Sequence, residues 1–268
     1  MPPKAATMPE PPRKVPTRAG VPIVRAVERS IALLRVFQPG RPRQTLTELA
    51  GATSLDKNTA RRLLHTLEAG GLVDHKDGLY ALSHGLLELF SAVDIGGSLR
   101  EVAAPVLRVI AEETSSTAFL WVHRDGMAVC IERVRPTAPR VEVTWSAVGS
   151  RTTLNSGGGP LALLGHLAPA DRARALDQVM VRRTPFSLVD RSELTARAAE
   201  IARDGAVLAA DDYIVGLTAL GVPVVDRHGQ LLGALSISTL GDHARELVAS
   251  GYFATLKAHA AALGRRAL

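Results

Sequence analysis

A single cysteine, Cys130, stands in a chain of 268 residues. It excludes an intramolecular disulfide and a cysteine-built zinc cluster within one chain. Long apolar runs are missing too. No stretch approaches the roughly 18 residues needed to cross a bilayer, and the first twenty residues carry prolines and basic groups instead of an apolar signal core. The chain is therefore expected in the cytoplasm, with no membrane partner. The sequence also lacks a Ser-His-Asp grouping, a phosphate P-loop and a dinucleotide fingerprint, and it has no internal repeat. His123 and His166 have no neighbours at metal-ligand spacing, so no metal and no cofactor are expected. Cys130 lies in an apolar run and reads as a small buried hydrophobe, a poor nucleophile.

Apolar residues make up 46% and charged residues 22% of the chain, which permits a buried core. The length suits two domains, one of roughly 80 residues and one of roughly 170. The net charge of +6 and a pI near 10.0 favour an anionic partner. Acids are scarce where bases are dense: between positions 11 and 62 only Glu28, Glu48 and Asp56 stand against eleven lysines and arginines.

Residues 1–21 are proline-rich and basic, and are expected to form a disordered tail. From Val24 to Phe37 apolar positions recur at helical spacing until Pro39-Gly40 stops them. Thr47 reads as the N-cap of a short second helix ending near Ala52. A longer helix runs from Asp56 to Ala69, where Ala60, Leu63, Leu64 and Leu67 form the apolar face and Gly70-Gly71 ends it. Its other face gathers Asn58, Arg61, Arg62 and His65, with Lys57 and Thr59 in the first turn. Two short strands around Asp77-Gly78 follow as a hairpin that carries His75 and Lys76. A further helix over residues 84–97 ends at a glycine break, so the expected domains are 22–83 and 98–268 with a linker helix between them.

The major groove of B-DNA admits one helix, which must present donors to base edges while basic groups hold phosphates. Short helix, tight turn, basic helix and hairpin wing occur here in the order of a winged helix-turn-helix. The residues expected at double-stranded DNA are Thr47, Lys57, Asn58, Thr59, Arg61, Arg62 and His65, with His75 and Lys76 on the wing.

Beyond residue 98 a helix over Leu99–Glu113 contains Pro105, which kinks it or marks its first turn. Strands are expected at Thr117–His123, Met127–Arg135, Val141–Val148, Ala206–Ala210, Leu217–Val225 and Leu231–Thr239. Helices are expected at 160–167, 169–178, 192–204 and, as one piece, 242–265. Helices and strands segregated in this way indicate an α+β domain built on an antiparallel sheet. Before the helix at Pro160 stands Asn155-Ser156-Gly157-Gly158-Gly159. Such a loop either presents backbone N–H groups to an anion or merely lets the helix pack closely on the sheet.

Leu46-Thr47-Glu48-Leu49-Ala50, Lys57-Asn58-Thr59-Ala60-Arg61-Arg62-Leu63-Leu64, Leu67-Glu68 and Gly71-Leu72-Val73 together resemble the helix-turn-helix signature of IclR-type transcriptional regulators. Glu28-Arg29-Ser30 before them and Gly78-Leu79-Tyr80-Ala81-Leu82 after them extend the resemblance over nearly all of the chain past residue 22. The resemblance implies a GAF-like C-terminal domain, a homodimer or homotetramer, a palindromic operator and a small organic effector, a carboxylate among the candidates. It also implies repression of a catabolic operon, and an effector site at Asn155, Gly157, Gly158, Asp211, Thr218, Leu220, Ser236 and Ser238. Many members carry a His-Ala-Thr-Ala type loop and a strand cysteine where this chain has a glycine run and Thr218. Two other readings stay open at this stage: an enzyme with an appended DNA-binding head, and an architectural DNA binder that senses nothing.

Overall fold

The computed structural model describes residues 22–38, 40–91, 99–143 and 146–266. The tail expected at 1–21 and the end of the expected linker helix, 92–97, lie outside the described residues. The chain divides into two units, residues 1–93 and 94–268.

In the first unit helix α1 (Arg25–Leu34) stops one turn earlier than its apolar pattern suggests. Strand β1 (Arg43–Thr45) is not legible in the sequence, because three residues after a proline are too few to show alternation. Helix α2 (Leu46–Thr53) is capped by Thr45, which corrects the expectation for Thr47. A capping box needs Thr and Glu three residues apart. Thr45 satisfies that spacing: its hydroxyl accepts from the Glu48 N–H at 3.3 Å, and the Glu48 carboxylate accepts from the Thr45 N–H at 2.9 Å. Ser54, at φ 54°, closes α2 in the left-handed region.

Helix α3 (Lys57–Ala69) begins beneath Asp56, whose carboxylate accepts the Thr59 N–H at 2.8 Å. Strands β2 (Val73–Lys76) and β3 (Leu79–Leu82) form the wing. Asp77 and Gly78 both take positive φ at its tip, the geometry that matches a two-residue turn to strand twist. The three strands lie in the order β1-β3-β2. Leu33, Leu49, Ala60, Leu64 and Leu67 pack with Val73 and Tyr80 as the core of this unit. Helix α4 (Gly85–Ser91) follows.

The second unit is α+β. Helix α5 (Leu99–Thr114) carries Pro105 in its interior. Strands β4 (Thr117–Arg124), β5 (Met127–Val134), β6 (Arg151–Thr152), β7 (Val207–Ala210), β8 (Leu217–Val225) and β9 (Leu231–Leu240) form one antiparallel sheet in the order β6-β5-β4-β9-β8-β7. The expected strand at 141–148 is absent among its described residues. There the Arg133 guanidinium donates to Val143 O and, at 3.2 Å, to Ser146 O, so backbone carbonyls pair with a side chain. Helices α6 (Gly158–His166), α7 (Pro169–Leu176) and α8 (Arg191–Asp204) cover one face with Phe119, Trp121 and Ala234. The expected final helix is two: α9 (Gly241–Ala249) and α10 (Tyr252–Arg266), separated at Gly251, φ 79°. With α5 they cover the other face, over Leu120, Leu220, Leu235 and Ile237.

Helix α6 is apolar all round, with every residue from Gly158 to Gly165 buried, as a helix sunk into a core must be. It sits so close to β8 that a Cβ on Gly158 would lie 2.8 Å from the Leu220 carbonyl carbon, and a Cβ on Gly221 would collide with the Gly158 carbonyl. Gly221→Ala should therefore cost about 1–3 kcal/mol through overpacking. The urea midpoint of the purified protein measures this, and an unchanged midpoint would contradict so close an approach of α6 to β8.

Candidate nucleic-acid interface and ligand cavity

In the first unit one helix separates two kinds of side chain. Ala60, Leu64 and Leu67 are buried, while Lys57, Asn58, Arg61, Arg62 and His65 are exposed along the opposite face and Thr59 is half-buried. His65 lies 4.0 Å from Glu68. Thr47 is exposed within the first turn of α2. On the wing, Lys76 is exposed, and the His75 ring stacks on Tyr80 with centroids 4.1 Å apart and planes 8° from parallel. Asp56 stays anionic at the start of α3, because hydrogen bonds from Thr59 hold its carboxyl below the usual range.

In the second unit a cavity of about 40 Å³ opens between the sheet and the first turn of α6. Strand alternation decides which side chains reach it. Phe119 and Trp121 from β4 share its face with Ser236 and Ser238 from β9. Gly157, Gly158 and Gly159 bring backbone to its edge. Of the eight positions that the resemblance implied, Gly157, Gly158, Ser236 and Ser238 gather here. Thr218 borders the cavity, yet it pairs with Thr239 and so shares the opposite face of the sheet with Leu220. Leu220 is fully buried on that face, in the core under α5 and α10.

Asn155 is a brace and does not line the cavity. Its amide donates to Val181 O and Leu188 O at 3.0 and 2.7 Å, and its Oδ1 accepts from Thr153 at 2.5 Å. Asp211 builds the turn before β8: at φ 60° its carboxylate accepts from the Gly216 N–H at 2.6 Å. Its neighbour Asp212 faces the cavity instead, accepting from the Gly157 N–H at 2.9 Å.

Three further residues escaped sequence reasoning. Ser156 is fully buried in the cavity wall, and its hydroxyl has no partner among the described residues. Trp121 donates its indole N–H to Ser236 Oγ at 3.0 Å. Arg183 lies 4.3 Å over the Tyr213 ring and donates to Thr152 at 3.1 Å, next to the cavity that both partners line. Alternation of Trp121 with Phe119 and the place of Ser156 in the glycine loop were the available signals. Arg183 had none, since a long excursion of chain separates it from Thr152.

Cys130 is buried, and burial pushes its thiol up to about 12, so no thiolate forms at neutral pH. His123 and His166, distant in sequence, share a second cleft with Asp171; burial lowers both imidazole pKa values. Among the described residues no cluster of three or more His, Cys, Asp or Glu is placed to hold a metal.

Burial raises the Asp212 carboxyl from its ordinary 3.8 to about 6, against the pull of the Gly157 N–H. Between those values the folded chain holds a proton that the unfolded chain has released, so stability falls as pH rises through this window. Asn at this position is neutral throughout and still accepts from Gly157. Asp212→Asn should thus be more stable than the parent at pH 7, by about 1–3 kcal/mol, with the difference fading below pH 4. Thermal melts across that range measure it, and a parent that is the more stable at pH 7 contradicts the assignment.

The arrangement of each unit is matched by known proteins. The family model described as the IclR helix-turn-helix domain matches residues 26–77, and the one described as the bacterial transcriptional regulator IclR C-terminal domain matches residues 95–265. The HTH-type transcriptional regulator XynR of Escherichia coli is 26% identical over 223 residues, covering 82% of this chain and 88% of that one. The HTH-type transcriptional repressor AllR of the same species is 26% identical over 222 residues, covering 80% and 79%. Among solved structures, an IclR homolog from Microbacterium hydrocarbonoxydans complexed with 4-hydroxybenzoate has the same fold, with a TM-score of 0.76 at 24% identity over 89% of this chain and 97% of that one. A basic helix beside a wing, followed by a helix-covered antiparallel sheet, with both domain models matching in that order, places this chain in the IclR family of bacterial transcriptional regulators.

Proposed function

We propose that this regulator reads its operator with the exposed face of α3 and responds to a small organic anion held in the cavity at the start of α6. The observation that carries the first half is the division of α3 into a buried apolar face and an exposed face bearing Lys57, Asn58, Arg61, Arg62 and His65. Arg61 and Arg62 take guanine edges or phosphates, Asn58 an adenine edge, and Thr47 and Thr59 flank them. His75 and Lys76 on the wing touch the neighbouring groove or backbone.

The second half rests on the start of α6, where Asp212 takes the Gly157 N–H, Pro160 has none, and the Gly158 and Gly159 N–H groups border the cavity. The first-turn N–H groups of a helix have no intrahelical partner, and beside them the buried Ser156 hydroxyl has no partner among the described residues. Acceptor-rich groups such as carboxylates suit such a site. Gly157, Gly158, Ser236 and Ser238 line it with Asp212. The reading is of binding without catalysis, in the cytoplasm, by a homodimer or homotetramer. Val27 and Ile31, exposed four residues apart on α1, and the exposed Val24 just before it support self-association. Relatives named as repressors support repression of catabolic genes. Among the described residues no helix is long and apolar enough to cross a membrane.

Coupling requires that the effector bind the DNA-competent and DNA-incompetent arrangements with different affinity. A thermal-shift screen of metabolites separates the alternatives: stabilisation without turnover fits a sensor, product formation an enzyme, and silence an architectural binder.

Replacing Arg61 and Arg62 together by alanine should leave the melting temperature unchanged and weaken binding to the promoter next to the protein's own gene by about 1–3 kcal/mol or more. The slope of log affinity against log salt should become shallower by roughly one for each phosphate no longer neutralised. Fluorescence anisotropy across a salt series measures both, and an unaltered affinity would count against α3 as the reading helix. For the cavity, Ser238→Ala is a cleaner change than bulk at Gly158, where the backbone of β8 leaves no room.

A further inference from the structure

Trp121 is the largest side chain that borders the cavity beside α6. It lies on β4 and lines the cavity, and it is held on three sides. Its N–H donates to Ser236 Oγ at 3.0 Å. Any side chain on Gly159 would collide with its Cδ1. The Phe119 ring leans on it with centroids 5.7 Å apart. It is buried, only 6% exposed, and its position is fixed by the hydrogen bond and by α6 together.

The cavity that Trp121 borders measures about 40 Å³. A single water needs roughly 10–15 Å³ on the same measure, so the space admits a group of a few heavy atoms. A benzene-ring acid is larger than that. The indole also sets the direction of one donor: Ser236 Oγ already accepts from Trp121, which leaves its own proton to donate elsewhere. Ser156, fully buried in the same wall and without a partner among the described residues, adds a second hydroxyl.

We propose that Trp121 is the specificity-determining residue of this site, limiting its ligand to a short aliphatic carboxylic acid and excluding aromatic acids. The proposal rests on the effector reading of the cavity given above. It concerns size, whereas that reading concerns location, and the two can fail separately.

The test titrates acetate, pyruvate, butyrate and 4-hydroxybenzoate into the full-length protein by calorimetry, with parent, Trp121→Phe, Trp121→Leu, Trp121→Ala and Ser156→Val compared. The parent should bind at least one short acid and show no heat with 4-hydroxybenzoate. Trp121→Ala should shift the ratio of affinities toward 4-hydroxybenzoate by roughly tenfold or more, the scale on which pocket volume discriminates. Trp121→Phe keeps a ring in place, so it should continue to exclude 4-hydroxybenzoate while binding short acids more weakly for want of the N–H that orients Ser236. If Trp121→Ala does not fold, Trp121→Leu carries the same comparison.

A parent that binds 4-hydroxybenzoate as well as pyruvate, or a ratio unmoved in the smaller variants, overturns the size assignment and leaves the location intact. Short-acid binding that survives Ser156→Val unchanged places the ligand elsewhere and overturns the location. No heat from any acid with any of these proteins overturns both.

Discussion

The sensing unit depends on a backbone-to-backbone approach that only glycine permits. The first turn of α6 lies against β8 where Gly158 faces Leu220 and Gly221, and the rest of that helix is buried on every side. A helix taken wholly into a core brings the unsatisfied N–H groups of its first turn with it, and buried donors without acceptors are costly. The chain answers part of this demand itself, through the Asp212 carboxylate on the Gly157 N–H. The remainder, with the Ser156 hydroxyl, faces a cavity. Close packing and ligand binding are thus not rival explanations of the glycine run. The packing creates the polar demand that a ligand can meet.

Asp212 sits where two effects oppose each other. Burial favours its neutral form and the Gly157 N–H favours its anion, and burial wins. A carboxyl in that position is a poor neighbour for an anionic ligand once ionised. The Arg197 charge pulls the Asp212 carboxyl down, while Arg183 lies beside Thr152 and over Tyr213. The loop that carries Arg183 is tied to the turn at 211–212 by Thr184 and Ser187, whose hydroxyls donate to Asp211 O and Asp212 O at 2.7 and 2.6 Å. The cavity wall and its charges therefore belong to one hydrogen-bonded assembly, with Asn155 bracing the same loop from the other side.

The DNA-reading unit works by simpler means. Its core is a handful of aliphatic side chains and Tyr80, and the helix that supplies Ala60, Leu64 and Leu67 to that core presents its charges on the far side. Helical periodicity alone couples the two functions. The capping box at Thr45 and Glu48 and the cap at Asp56 start α2 and α3 at defined residues, and so set which side chains point outward.

Helical and strand periods were legible in the amino-acid order because they are local: the amphipathic α3, the Asp-Gly wing, the glycine loop before α6 and most strands follow from neighbouring residues. So did the basic face itself, since residues three and four apart on a helix share a side. Local order failed where partners are distant. The Arg133 guanidinium donates to the Val143 and Ser146 carbonyls in a stretch whose apolar pattern suggested a strand, and Gly251 separates one apolar stretch into two helices. The two adjacent acids also look alike in sequence, yet Asp211 turns its carboxylate to Gly216 while Asp212 turns its own to Gly157. Thr218, Ser236 and Ser238 are similar small hydroxyl residues, and the pairing of β8 with β9 alone places the first on the face opposite the other two. Composition and spacing determined that a basic helix and a buried glycine-led helix would form. Which side chains meet at the cavity was decided by tertiary packing, because that depends on strand register and on contacts between residues far apart along the chain.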